Sequence, residues 1–535
     1  MVKINFFNPT TFLSLFKYWM NIVIILCGII QILFFPKNST LFAVAIILIG
    51  WFLVNTLILT RTNFINYTFS TFLLLGFVIT QYAFPLIFTL LEGKLVTYNL
   101  KIPYEVFTHS ILALISIIIA HLFYKNWRKN SGIYSFNKTQ HFLYKNYFFD
   151  APTNKQLWII GFIGIFALLS KYILGGNSFS EVNESNTLDK FIEGFIVFSY
   201  APLFIPFSYL LRKSNTKSEY KKTYLIILYI LLLIIIGVIG NSRGLFMKGL
   251  TAMALVFFLG LLIGKFDYKI FKIKNVIISV LSFWIITGPL SDIGTAMVIV
   301  RGQRGTISGT ELLIKTLVVY QDKQAINNYK KLALSHIGDD WDEIYFDNIF
   351  LARFCNLKFN DSNLVQGLKI KEEDYRMFSY SVDRFWAILP SPILDLMQIA
   401  VDKKRITSSS FGDYLYFCNG GENALGGFRT GHFAGTGMAS FGWWYLVILG
   451  IGMIPLFFLI DLFSFNFKIN NTSNIVFSLA GLFLISTIFT FWGTSSASES
   501  VVSIYTFLLR GWLQSILLYF LVFKFSFIIS KTSLT

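Results

Sequence analysis

The chain has 535 residues, of which 55% are apolar and only 14% charged, with a mean hydropathy of +0.63 and a formal net charge of +17. Soluble domains carry about 25% charged residues, so this composition excludes a water-soluble globular protein and points to an integral membrane one. Three cysteines are too few for a disulfide scaffold.

A membrane span needs about 20 mostly apolar residues. Twelve segments qualify, near 14–35, 41–60, 68–91, 103–124, 156–173, 191–211, 223–240, 245–263, 275–291, 441–460, 473–491 and 504–529. The first lacks a cleavage-site pattern and reads as a retained helix rather than a signal peptide. The expected fold is an all-α polytopic membrane protein: helices 1–9 over residues 1–291, one large extracytoplasmic loop over 292–440, and helices 10–12 over 441–535.

The connections carry an orientation signal. Segments 125–155, 212–222 and 264–274 together hold fifteen basic residues against three acidic ones. Lys and Arg are retained on the cytoplasmic side, so these segments and both termini are expected inside. The alternate connection 174–190 carries Glu181, Glu184 and Asp189 against one Lys. The excess positive charge is therefore a topology signal and not a nucleic-acid footprint.

The long polar segment then faces outward. Residues 310–337 place apolar side chains at helical spacing and read as a surface helix. The run DDWDEIYFDNIFLARF is amphipathic and aromatic, suited to the membrane interface, and WAILPSPILDLMQIAV reads as a short helix or re-entrant piece. The glycine-rich run 420–437 predicts a loop that brings backbone close to something. Cys355 and Cys418 lie in this segment, either as a bridge or as two inert buried thiols.

No nucleotide-binding glycine motif, HExxH or CxxC pair is present, and five scattered histidines lack metal-ligand spacing. No cofactor is expected. The candidate chemistry lies in arginines on the outer side. Arg243, in the turn Asn-Ser-Arg-Gly, suits a phosphate through its paired N–H donors, or else snorkels at the interface. Arg301 and Arg304, three apart, are spaced to hold one diphosphate, or else form a basic helix end. Arg384, between Asp383 and an aromatic pair, is either a ligand or an ordinary ion-pair or cation–π partner. Arg429 and His432 stand three apart just before the tenth span. There the His is a candidate base for a hydroxyl and the Arg an anion holder. Glu422 and Asp383 are rival bases. The turn FWGTSSASES, with Glu499, reads as a sugar-lining or merely tolerant turn.

The span layout, the single late outer loop, the Arg-Gly turns at 241–244 and 301–304 and the block GHFAGTGMASFGWWYLVILGIG resemble the O-antigen polymerases, the oligosaccharide repeat-unit polymerases of the Wzy type. The Arg-x10-Gly spacing described for some members is absent: eleven residues after Arg301, Arg304 and Arg429 stand Leu312, Lys315 and Ser440. The resemblance implies a GT-C-like architecture in the bacterial cytoplasmic membrane and metal-independent glycosyl transfer at its outer face. Undecaprenyl-diphosphate-linked oligosaccharides would be donor and acceptor, with membrane lipid and a chain-length regulator protein as further partners. Related O-antigen ligases, which transfer glycan to lipid A core, are the nearest alternative. A flippase for lipid-linked sugars is a third reading; its spans should carry charges and matched repeats, and these spans are nearly charge-free.

Overall fold

The computed structural model describes residues 9–130, 133–171, 187–212, 223–266, 273–303, 306–335, 341–421, 424–427, 429–469, 472–490 and 498–532. Arg304 and Glu422 lie outside these residues, as does most of the turn at 491–500.

The molecule is a helical bundle. Among the described residues nine helices are long and apolar enough to cross a membrane: Phe12–Phe34, Asn38–Leu57, Thr68–Leu91, Pro103–Asn130, Phe191–Leu211, Arg243–Leu262, Val276–Gln303, Phe433–Asp461 and Val501–Lys531. Two more apolar helices, Asn154–Leu169 and Tyr224–Ile239, are shorter. The expectation of twelve like spans needs correction at 473–491. There a strand runs from Thr472 to Phe477, and Ser478 then caps the first of two one-turn helices, Leu479–Phe483 and Ile485–Phe489. The fold is also not purely helical. Strands β1 (Ser464–Ile469) and β2 (Thr472–Phe477) pair antiparallel, with Ile469 opposite Thr472.

Lipid-facing helices keep apolar side chains on their outer surfaces, and these do: Ile277, Trp284, Leu517 and Phe525 are more than half exposed. Close approach inside the bundle is set by glycine. A Cβ on Gly164 would lie 2.0 Å from the Ser199 nitrogen, and one on Gly161 2.4 Å from Pro202. The facing helix holds Pro202 and Pro206 and winds as a 3₁₀ helix from Ile196 to Leu211. Each proline lacks the N–H that an α-helical bond needs.

Contacts gather the connections at two ends. At one end Lys17 donates to the Asn55 and Leu59 carbonyls (2.8 and 3.2 Å), Gln140 to Ser464 (2.6 Å) and Asn466 to Ile65 (2.5 Å), and Tyr147 packs on Phe527. At the other end the long polar segment is bound to the short connection after Leu91. Glu92 accepts the backbone N–H groups of Asp347 and Asn348 (3.0 and 3.1 Å), and Asp361 accepts that of Ile102 (3.0 Å).

The long segment is built into the bundle. Helix Leu357–Gly367 is polar on every side yet buried, with Lys358, Asn360, Asp361, Asn363 and Gln366 at most 1% exposed. Burial of that kind requires partners. Lys358 meets Asp361 at 2.9 Å and Asp342 at 3.7 Å, and Asn360 donates to Ser110 at 3.1 Å. The span Thr68–Leu91 widens into a π-helical turn at Ile79–Ala83, and Thr80 there receives the Asn356 backbone N–H at 3.5 Å and its side-chain amide at 3.4 Å.

Four local readings are changed or decided here. The run DDWDEIYFDNIFLARF is described over residues 341–354. These run irregularly to a single helical turn, Ile349–Ala352, because Tyr345 is buried and hydrogen-bonded to the Val96 carbonyl (2.5 Å). The surface helix breaks in two, Gly309–Gln321 and Lys323–Ser335, where the Asp322 carboxylate caps Gln324 and Ala325. The glycine-rich run is loop only to His432; Phe433–Phe441 is helical. Gly435 and Gly437 serve close packing, since a Cβ on Gly435 would lie 2.2 Å from the Asn363 carbonyl carbon. Cys355 and Cys418 are both free and buried, so they form no bridge.

Candidate functional site

Three arginines meet around a small apolar knot of Val238, Phe246, Met297 and Phe350. Arg243 lies three residues before Phe246, Arg301 four after Met297, and Arg353 three after Phe350. These are helical intervals, so each guanidinium leaves its backbone on the side of its own knot residue. The turn carrying Arg243 is tied down by Asn241, whose amide donates to the Met297 carbonyl (2.9 Å). The ninth span continues past the expected loop start to Gln303, which puts Arg301 on a helix end.

Arg243 is enclosed. Its stem runs beside Gly294, where a Cβ would sit 3.5 Å from Arg243 Cδ, and its Nη1 is buried with no hydrogen-bond partner among the described residues. The charges of Arg353 and Arg301 both act on it, and that of Arg353 acts on Lys248 one turn further along. Arg353 reaches water, but protein surrounds it on enough sides for desolvation to lower its pKa. Nearby Glu343 opposes that shift and Arg301 adds to it.

Glu343 stands close enough to Arg353 for their charges to act on each other. Its Oε1 accepts the Trp341 indole N–H and the Thr430 backbone N–H, each at 3.0 Å. Burial raises its pKa, while these two bonds and the charges of Arg353 and Arg429 pull it back. Arg429 is held in place: its backbone N–H and Nη1 meet Asp413 Oδ1 at 2.9 and 3.4 Å, Nη1 also donates to the Ala424 carbonyl at 2.9 Å, and the guanidinium lies over Tyr416. Glu343 therefore links Arg429 to the Arg243–Arg301–Arg353 group through their charges.

The remaining candidates go elsewhere. Arg384 donates to the Tyr380 hydroxyl (3.0 Å) and the Ser409 carbonyl and lines a separate cavity with Glu499 and Arg510. Asp383, next to it in sequence, acts on Tyr414. His432 is 1% exposed, and its Nδ1 accepts the Ala434 N–H at 3.3 Å as the cap of helix Phe433–Phe441. Burial, with a further push from His109, lowers its pKa to about 3.

Sequence reasoning singled out Arg243, Arg301 and Arg429 but missed Arg353 and Glu343. The available signal was charge inside an aromatic run: Glu343 and Arg353 are ten residues apart in a stretch too rich in buried rings to be a solvated face. Chemically, the arrangement offers several cations, one of them with an unused buried donor, and one carboxyl group with one oxygen engaged. Among the described residues no three His, Cys, Asp or Glu side chains gather as a metal-ligand set. No family model, no curated protein and no solved structure matches the chain.

Proposed function

We propose that the chain is a glycosyltransferase of the cytoplasmic membrane that polymerises lipid-linked oligosaccharide repeat units at the outer face. The donor is a growing glycan on undecaprenyl diphosphate and the acceptor a single lipid-linked unit, for O-antigen or another surface polysaccharide. The observation that carries this reading is the gathering of Arg243, Arg301 and Arg353, with Arg243 Nη1 buried and unpartnered. Like charges drawn together beside a single counter-charge, Glu343, leave an excess of positive charge that a bound anion relieves. The planar guanidinium fork matches two phosphate oxygens at once.

In the reaction, the bond between the donor's anomeric carbon and the diphosphate oxygen breaks, and its electron pair leaves with the diphosphate. The arginines stabilise that charge as it develops. The acceptor hydroxyl oxygen bonds to the same carbon and its proton passes to Glu343. Trp341 and Thr430 fix Glu343 through Oε1, leaving Oε2 for the hydroxyl, and a carboxylate with a raised pKa is a stronger base. The base role goes to Glu343 rather than His432, which is enclosed and engaged as a cap.

The basic segments at 125–155 and 264–274 support a cytoplasmic position for that end of the bundle, which turns the arginine cleft outward. Cysteine labelling at Ser131 and Lys371 tests this: labels on opposite faces are expected, and labels on the same face overturn the orientation. For the activity, a strain lacking the gene should carry surface glycan only as single repeat units. Wild-type protein should restore long chains, and Arg353→Ala should not. Loss of every glycan form, the single unit included, points instead to a ligase or a flippase.

A further inference from the structure

A second cavity, of about 510 Å³, lies between helix Phe191–Leu211, the short helices at 479–489 and helix Val501–Lys531. Its size falls within the range of about 300–1,000 Å³ for small-ligand sites. Its walls are largely apolar, with Phe198, Leu484 and Leu518 among them, and its charged groups are Arg384, Glu499 and Arg510. Arg384 is held rigidly: it stacks over Tyr380 and Phe411 with its charge centre 5.3 and 5.2 Å from the ring centroids. Two of its nitrogens are bonded to Tyr380 and Ser409, and Nη1 makes no hydrogen bond among the described residues.

Arg510 lies inside a membrane-length helix, in a π-helical turn at Phe507–Gly511, and its side chain makes no hydrogen bond among the described residues. A charged residue at such depth is costly and marks a pathway or a ligand by default. It stands nine residues after Val501, about 14 Å along the axis at 1.5 Å per residue. Helical side chains lean toward the N-terminus of their helix, so Arg510 leans toward the end where Glu499 and Arg384 lie.

We propose that this cavity binds a single-chain lipid phosphate, its phosphate held between Arg384 and Arg510 and its hydrocarbon chain lying along Phe198, Leu484 and Leu518. Glu499 supports this as a partner: burial raises its carboxyl to about 7, and a protonated carboxyl donates to a phosphate oxygen. The assignment rests on this cavity alone. It adds to the proposed polymerase a second lipid-anion site, distinct from the Arg243 cleft.

The test uses the full chain in detergent and a glycan-free probe, farnesyl phosphate, followed by native mass spectrometry. It therefore does not depend on whether the Arg243 cleft polymerises anything. Wild-type protein should bind farnesyl phosphate at least tenfold more tightly than farnesol or inorganic phosphate. Arg510→Gln and Arg384→Gln should each lose that preference, and Thr487→Phe, which fills the cavity without touching a charge, should lose binding of the probe. Circular dichroism of each variant verifies its fold. Equal binding of farnesol, no binding by the wild type, or unaltered binding by Arg510→Gln and Thr487→Phe overturns the proposal.

Discussion

Two charged clusters at opposite ends of the bundle are built in opposite ways. At the end with the β-hairpin, Asp461 is fully buried and matched. Ser70 donates to it through its backbone N–H (3.0 Å) and hydroxyl (2.7 Å), Tyr124 adds a third bond (3.1 Å), and Arg128 stands 4.0 Å away. Arg128 is itself stacked over Tyr67 and Phe136. At the opposite end Arg243, Arg301 and Arg353 act on one another, and Glu343 is the counter-charge acting on Arg353. A buried charge with every partner in place holds helices together. Gathered cations with a donor left over mark where something else binds.

Breaking the matched end should have the largest effect on stability. Asp461→Ala removes the buried anion that Ser70, Tyr124 and Arg128 share and should cost roughly 3–5 kcal/mol, seen as a lowered unfolding midpoint in detergent. Adding Arg128→Leu should recover part of it. An unchanged midpoint for the single variant would mean that the network is not structural.

Breaking the unmatched end should do the reverse. Arg243→Ala should leave the midpoint unchanged or raise it, while chain extension falls. A charged contact worth roughly 2–5 kcal/mol corresponds to about 30-fold to several thousand-fold in rate. Arg243→Lys, which keeps the charge and loses the fork, should fall in between. A variant that unfolds readily but extends glycan normally would erase the contrast between the ends.

Glu499 sharpens the comparison through pH. Its folded-state carboxyl is raised from 4.5 to about 7, chiefly by burial, with Arg384 and the Phe411 N–H opposing and Asp413 adding to the rise. A raised carboxyl favours folding only while protonated. Wild-type stability relative to Glu499→Gln should therefore fall as pH climbs from about 4.5 to about 7 and level off above, by up to roughly 3 kcal/mol. Midpoints across that range decide it, and a constant difference would place Glu499 in water. The smallest effect concerns His432. Replacing it by Ala removes a helix cap and should cost about 1 kcal/mol, whereas Asn keeps a cap. If His432→Asn loses turnover while retaining its midpoint, the histidine does chemistry after all.

Composition and apolar run length were enough to read the membrane class and most spans. They failed where tertiary packing overrides local pattern. Thr472–Phe477 opens a run of span length, yet it pairs antiparallel with Ser464–Ile469. Gly435 looks like loop, but its missing Cβ is what lets one helix lie against another. Arg353 and Glu343 were hidden because their meaning depends on Phe350 finding Phe246 and Met297, residues more than 50 positions away. That convergence leaves no periodicity in the sequence.

The π-helical turn at Thr80 bears on how the long polar segment moves. Thr80 is near the middle of its span, and Asn356 reaches down to it. A segment moored at that depth cannot swing as a lid, so the Arg353 wall of the cleft should exchange its amide hydrogens as slowly as the bundle does. The paired helices Gly309–Gln321 and Lys323–Ser335 are held differently, in part through exposed ion pairs from Lys323 and Lys330 to Asp292. Such pairs loosen as salt rises. The helix pair should therefore loosen at high salt while the segment moored to Thr80 does not.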